Sequence, residues 1–297
     1  MIGYAMAVKF ATLGKRVIGI DIKMPSDLKK DGVQTIKADI TQADLINDII
    51  SSYGVTSILH AGGISGPMLH KNDPYKVFRI NSYGTLNIVE AARRHGIERL
   101  VFLSTFVAYG EQTDTSVIDE SRMQRGSNAY AASKISAENI LRSYREIHKL
   151  ETISLRLGAV YGPRRKTDCL IRNLIKGAIK NEVSHLNFGK DWSRPYVYIE
   201  DVLNAIQLSF EAPFSNLKQD AYNISGGIWP TISEITDIIA YVTQTKKITL
   251  QSGRTPHDYL IGPLSLKAAQ RDLNFKPLYS MKRGIESYYK WLQNNEF

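Results

Sequence analysis

Short apolar runs, each closing on a polar or small residue, alternate with helical stretches of ten or more residues through the first half of the chain. That alternation is what most restricts the possible folds. Arg16–Asp21, Gln34–Asp39, Ser57–Ala61, Arg99–Ser104 and Glu151–Arg156 read as strands. Arg16–Asp21, a short apolar run ending in an acid, is typical of a parallel strand covered on both sides. Residues 4–14, 42–53, 74–95 and 128–145 read as the intervening helices, the first stopped by Gly14. Strands joined by whole helices give a parallel sheet with right-handed crossovers. The expectation is an α/β, doubly wound parallel sheet over residues 1–160. A smaller C-terminal lobe then covers 161–297, with some of its segments returning to the sheet. In that half the pattern is less regular, punctuated by Pro163, Pro195, Pro213, Pro230, Pro256, Pro263 and Pro277.

Composition removes several function classes. The 297 residues, 43% of them hydrophobic, suffice for one large core and a lobe. No run of about eighteen apolar residues occurs, so no spanning helix is expected. Met1-Ile2-Gly3-Tyr4 has no basic region ahead of an apolar core, so a cytoplasmic location is the default. One cysteine, Cys169, excludes an internal disulfide, and His60, His70, His95, His148, His185 and His257 show no metal-ligand spacing. The net charge of +9 comes from dispersed basic residues. The densest groups, Arg164-Arg165-Lys166, Arg93-Arg94 and Lys246-Lys247, are not interleaved with aromatics as a base-stacking surface would be. A basic cleft for an anionic small molecule is expected rather than nucleic acid or a membrane.

Ligands of such sheets gather at the carboxyl ends of the strands. Asp21, Asp39, Ala61-Gly62-Gly63 and Ser104-Thr105 all stand there. On the following helix Tyr130 and Lys134 are one turn apart and share a face. A phenol beside an ammonium makes a general acid/base for neutral pH, because the cation favours the phenolate.

In this order the motifs resemble the extended short-chain dehydrogenase/reductases, the NAD-dependent epimerase/dehydratase group. Ile2-Gly3 looks like the end of that family's Gly-x-x-Gly-x-x-Gly turn. Asp21, eighteen residues after Gly3, matches the acid on the adenosine ribose, and its charge implies NAD over NADP. Asp39-Ile40 matches the adenine-side pair, His60-Ala61-Gly62 the turn beneath the cofactor, and Asn81-Ser-Tyr-Gly84-Thr85 the family's Asn-x-x-Gly-Thr helix. Ser104-Thr105 is similar to its Ser-Ser/Thr strand end. Arg156 to Pro163, Arg194 to Asp201 and Tyr222 to Gly227 match its substrate half. The resemblance implies a Rossmann fold, NAD as cofactor and a homodimer through helices 74–95 and 130–149. It makes Tyr130 the acid/base and has Lys134 hold the nicotinamide ribose and depress the Tyr130 pKa. Thr105 would bond the reacting oxygen, with Ser104 beside it. Arg194 and Arg254 match diphosphate-binding positions.

Three departures refine this. Phe106-Val107 stands where dehydratases of the family carry Asp-Glu, which disfavours elimination of water. Ala159 replaces an Asn that contacts nucleotide sugars, which admits a sugar or sugar-acid dehydrogenase. The family's first apolar strand and first two glycines have no counterpart before Gly3. The expectation is that about ten residues precede Met1 in the active protein. The rival is a chain without firm cofactor binding, a non-catalytic dinucleotide-binding regulatory module. An NAD-dependent oxidoreductase or epimerase acting on a sugar or nucleotide-sugar hydroxyl is the leading reading.

Overall fold

The structure, a computed structural model, describes residues 1–25, 27–245, 247–254 and 259–295. Lys246, Pro256 and His257, named above, lie outside the described residues. Ten strands are described: β1 (Ile18–Asp21), β2 (Gln34–Lys37), β3 (Ser57–His60), β4 (Arg99–Thr105), β5 (Thr152–Leu157), β6 (Ala159–Tyr161), β7 (Ser184–Leu186), β8 (Tyr196–Tyr198), β9 (Ala221–Ile224) and β10 (Ile248–Leu250). The helices are α1 (Ile2–Thr12), α2 (Ala43–Tyr53), α3 (Pro74–Phe78), α4 (Gly84–Arg94), α5 (Ala129–His148), α6 (Leu170–Ile179), α7 (Ile199–Glu211), α8 (Ile232–Thr243), α9 (Lys267–Leu273) and α10 (Met281–Gln293).

All strand pairs are parallel. β3-β4-β5-β9 form one sheet and β1-β2 another, so the late strand β9 closes the main sheet beside β5. Helices α1 and α7 pack together, with Phe10 edge-on to Phe210 at 5.6 Å, while α2, α4 and α5 form a second packed row. Each row buries its own set of side chains. Val101, Ile153 and Leu155 join Val202 and Ile206 in one cluster, and Leu100 and Phe102 join Ile88, Ala137 and Leu141 in the other. Alternate residues of β4 thus enter opposite cores, as the two-residue period of a strand requires. In the C-terminal half α6, α8 and α10 pack on one another, and the short pairs β6-β8 and β7-β10 lie outside the main sheet.

The single helix expected over 74–95 is three pieces. α3 passes into a π-helical turn at Arg79–Tyr83 before α4 resumes at Gly84. Buried Asn81 sits in the wide turn, where its side chain accepts from Ile64 N (2.8 Å) and donates to Ile64 O (3.1 Å) and Ser133 Oγ (3.0 Å). Gly84 follows because Ile40 occupies the space of a side chain: a Cβ would stand 2.7 Å from two Ile40 carbons.

The sheet is also divided. Among the described residues β1 pairs only with β2, and β3 only with β4. The facing edges of β1 and β3 border a slot whose walls include Ile18, Ile20, Ile58, Phe10, Ile50 and Phe210. Ile18, Ile20, Ile58 and Phe10 are only half-buried there, unlike their counterparts on β4 and β5. Both edges carry unmatched backbone N–H and C=O groups, an arrangement that accepts a further strand.

Candidate active site

The slot opens into a cleft at the strand ends, together about 2150 Å³. It runs from Asp21 past the N-terminus of α1 to Tyr130, Lys134 and Arg194. Helix α5 is fixed by its cap. Asn128 accepts from Ala131 N (2.9 Å) and donates to Tyr259 Oη (2.6 Å), which ties the start of α5 to the C-terminal half. One turn separates Tyr130 and Lys134, and both reach the cleft wall with Thr105.

The electrostatics differ from expectation in one respect. Burial pushes the Tyr130 phenol above its ordinary value, and a hydrogen bond with Thr105 and the Arg165 guanidinium oppose that rise. Lys134 is not what lowers it. The Lys134 ammonium is turned toward β4, donating to Leu103 O at 2.8 Å and lying 4.5 Å from the Phe102 ring centre. Burial pushes Lys134 down to about 8, opposed by the Glu138 carboxylate.

His60, at the end of β3, is buried against Phe102, with Nε2 2.9 Å from Thr85 Oγ1. The Thr85 hydroxyl donates to Asn81 O, so His60 Nε2 carries the proton. Burial, reinforced by Lys134, pushes its pKa down to about 3. The fold therefore holds His60 neutral. Its contribution to stability is complete above the ordinary histidine pKa and is lost as pH falls from there toward 3. Over that window the melting temperature should drop, by up to about 1.4 kcal/mol of stability per pH unit. His60→Gln should flatten the slope; an equal slope in both proteins would assign the loss to other groups.

The cleft gathers most of the sequence-derived site residues. Gly3, Asp21, Ile40, Ala61, Gly62, Ser104 and Arg194 all line it. Ser104, however, donates its hydroxyl to Glu138. Three other residues are placed elsewhere. Asp39 accepts from Thr41 N and Thr41 Oγ1 (both 2.9 Å) and closes the turn before α2. Asn81 is fully engaged between Ile64 and Ser133 and does not line the cleft. Arg254 is on the surface, paired with Glu111 at 2.6 Å.

The residues present fit NAD. Asp21 leaves an exposed carboxylate at the end of β1, suited to ribose hydroxyls. The floor is cut down to backbone: a Cβ on Gly63 would stand 2.7 Å from Asn81 Oδ1, and one on Gly3 3.4 Å from the Ala61 Cβ. At the N-terminus of α1 the Met1 amine is acted on by the Asp21 carboxylate and, in the opposite sense, by the Lys166 and Arg164 cations. Sequence reasoning missed three cleft residues, Arg164, Arg165 and Lys166, although it marked them as the densest basic group. It also missed the buried Arg156–Glu138 pair, whose one signal is that Glu138 follows Lys134 by one helical turn. Among the described residues, no group of three or more His, Cys, Asp or Glu is placed to hold a metal, and no helix is long and apolar enough to cross a membrane.

Known proteins share this fold. The UDP-glucuronate 4-epimerase of Thermodesulfobacterium geofontis is 23% identical over 99% of this chain and 94% of its own length. UDP-glucose 4-epimerase of Thermotoga maritima, solved with UDP-glucose, superposes with a TM-score of 0.91 at 21% identity, covering 99% of this chain and 96% of that one. UDP-glucuronic acid 4-epimerase of Bacillus cereus, solved with UDP-glucuronic acid and NAD, gives 0.84 at 19% identity over 99% and 96% of the two chains. At these identities the structural likeness establishes the doubly wound fold. The model of the NAD dependent epimerase/dehydratase family matches residues 1–225, well over half of the sequence. The chain therefore belongs to the NAD-dependent epimerase/dehydratase family.

Proposed function

We propose that this enzyme epimerises a ring hydroxyl of a nucleotide-linked sugar. The observation that carries the reading is the placement of Thr105, Tyr130 and Lys134 on one cleft wall that also carries Arg165 and Arg194. NAD supplies a site that accepts hydride from the carbinol carbon and returns it. Tyr130 takes the hydroxyl proton and gives it back, with Thr105 orienting the oxygen. Lys134 holds the ribose beside it. Arg165 and Arg194 give the cleft the charge an anionic substrate requires. Phe106 and Val107 stand in the same wall and offer no group for removing water.

The test is to incubate the protein with NAD and either UDP-glucuronate or UDP-glucose, following sugar stereochemistry by NMR and NADH by absorbance. Epimer without net NADH is the expected result. Stoichiometric NADH would transfer the reading to a sugar or sugar-acid dehydrogenase, which Ala159 in the cleft wall admits. NAD binding with neither product would favour a regulatory module. The same reading places the enzyme in the cytoplasm, with its substrates; fractionation of expressing cells tests that.

Pairing of two copies through α4 and α5 is part of the proposal. A shallow depression there carries Leu86, Ala132, Ile135, Ile140 and Tyr144. Light scattering should report a dimer, and Ile135→Asp should yield a monomer; an unchanged mass would move the interface elsewhere.

A further inference from the structure

We infer that Glu138 is a positioning residue for the reaction, its carboxylate holding the ammonium of Lys134 in charged form from one helical turn away. The inference rests on the reading of Tyr130 and Lys134 as the reacting pair. Glu138 is 2% exposed and bound from three elements. Arg156 of β5 donates Nη2 to Oε2 at 2.8 Å and Nε at 3.1 Å, Gln124 donates to Oε2 at 2.8 Å, and Ser104 of β4 donates its hydroxyl to Oε1. Arg156 is held in turn by Tyr109 Oη and Glu120 O, both at 3.0 Å. A carboxylate met by this many donors stays in place. A salt bridge kept only for stability could be replaced by apolar side chains at little cost. This one is built on α5 one helical turn from Lys134, with both side chains buried.

The surroundings of Lys134 leave the anion's work to Glu138. Tyr130 and Glu138 lie on its own helix, His60 faces it from β3 as a neutral ring, and β4 offers the Leu103 carbonyl and the Phe102 face. Arg156 is paired with Glu138, and Arg165 acts on Tyr130 from the loop after β6. Removing the Glu138 charge therefore has two effects of one sign. Lys134 loses its nearby anion, and the Arg156 cation is left uncovered behind it. Both favour the neutral amine, so Lys134 should lose its proton at lower pH.

The experiment is kcat against pH for the wild-type enzyme with NAD and a substrate it turns over, for Glu138→Gln, Glu138→Asp and Tyr130→Phe. In Glu138→Gln the high-pH limb should move down by about one pH unit, since a neighbouring charge shifts a buried group by that order. Glu138→Asp should return it toward the wild-type position. A merely structural role would lower the rate at every pH and leave the limb in place, which overturns the inference. If Glu138→Gln fails to fold by circular dichroism, Glu138→Gln/Arg156→Met removes both buried charges together. With the Arg156 cation gone as well, its limb should move down by less than in Glu138→Gln, and a limb that is unmoved or moves up overturns the inference. Turnover that survives Tyr130→Phe would instead sink the reading of the reacting pair, so the two failures are distinguishable.

Discussion

Tyr130→Phe should lower turnover by about 10²–10⁴-fold while leaving NAD affinity and the fold unchanged. The ring is buried against Val107 and Ala131, and phenylalanine fills the same volume. The lost hydroxyl leaves no uncompensated charge, because the buried phenol is held in its neutral form. Its partner Thr105 keeps its contact with Val107 N at 3.2 Å. Little stability should be lost, and the whole effect should fall on proton transfer. Calorimetry of NAD binding beside the rate assay checks both halves. A regulatory module would keep its response to NAD in this variant. An enzyme would bind NAD and stop. Equal losses in affinity and rate would mean that Tyr130 supports the cofactor rather than the proton.

Filling the slot between β1 and β3 should have the largest effect on stability. Fusing an extended segment of β-branched apolar residues and a glycine-rich turn ahead of Met1 should raise the melting temperature by about 10 °C. Half-buried Ile18, Ile20, Ile58 and Phe10 would become interior, and the free edges of β1 and β3 would gain backbone partners. The same turn would set backbone N–H groups beside the N-terminus of α1, where they would favour an anion. NAD should then bind more tightly by an order of magnitude or more. A segment of the same composition with a proline at its centre serves as control, since it cannot complete the ladder. If both fusions melt alike and bind NAD alike, the slot is not a strand site and the cofactor is held by the remaining wall.

The sequence by itself determined whatever repeats over short distances. Alternating strands and helices fixed a parallel, doubly wound sheet because a helix of that length leaves the next strand no other direction. The one-turn spacing of Tyr130 and Lys134 fixed their common face, since the helical period is set by the backbone alone. Gly14, at φ 75°, ends α1 as its position predicted. Tertiary structure decided the rest, because it depends on partners far along the chain. Asn81 meets Ser133 across 52 residues, and Arg254 meets Glu111 across 143. No local pattern distinguishes those polar groups from ligand-binding ones. Lys134 likewise had a predictable face, but its ammonium turns to Leu103 O because β4 passes beneath it. Spacing is a property of one segment, whereas charge and hydrogen bonding in a buried site belong to whatever the fold brings alongside.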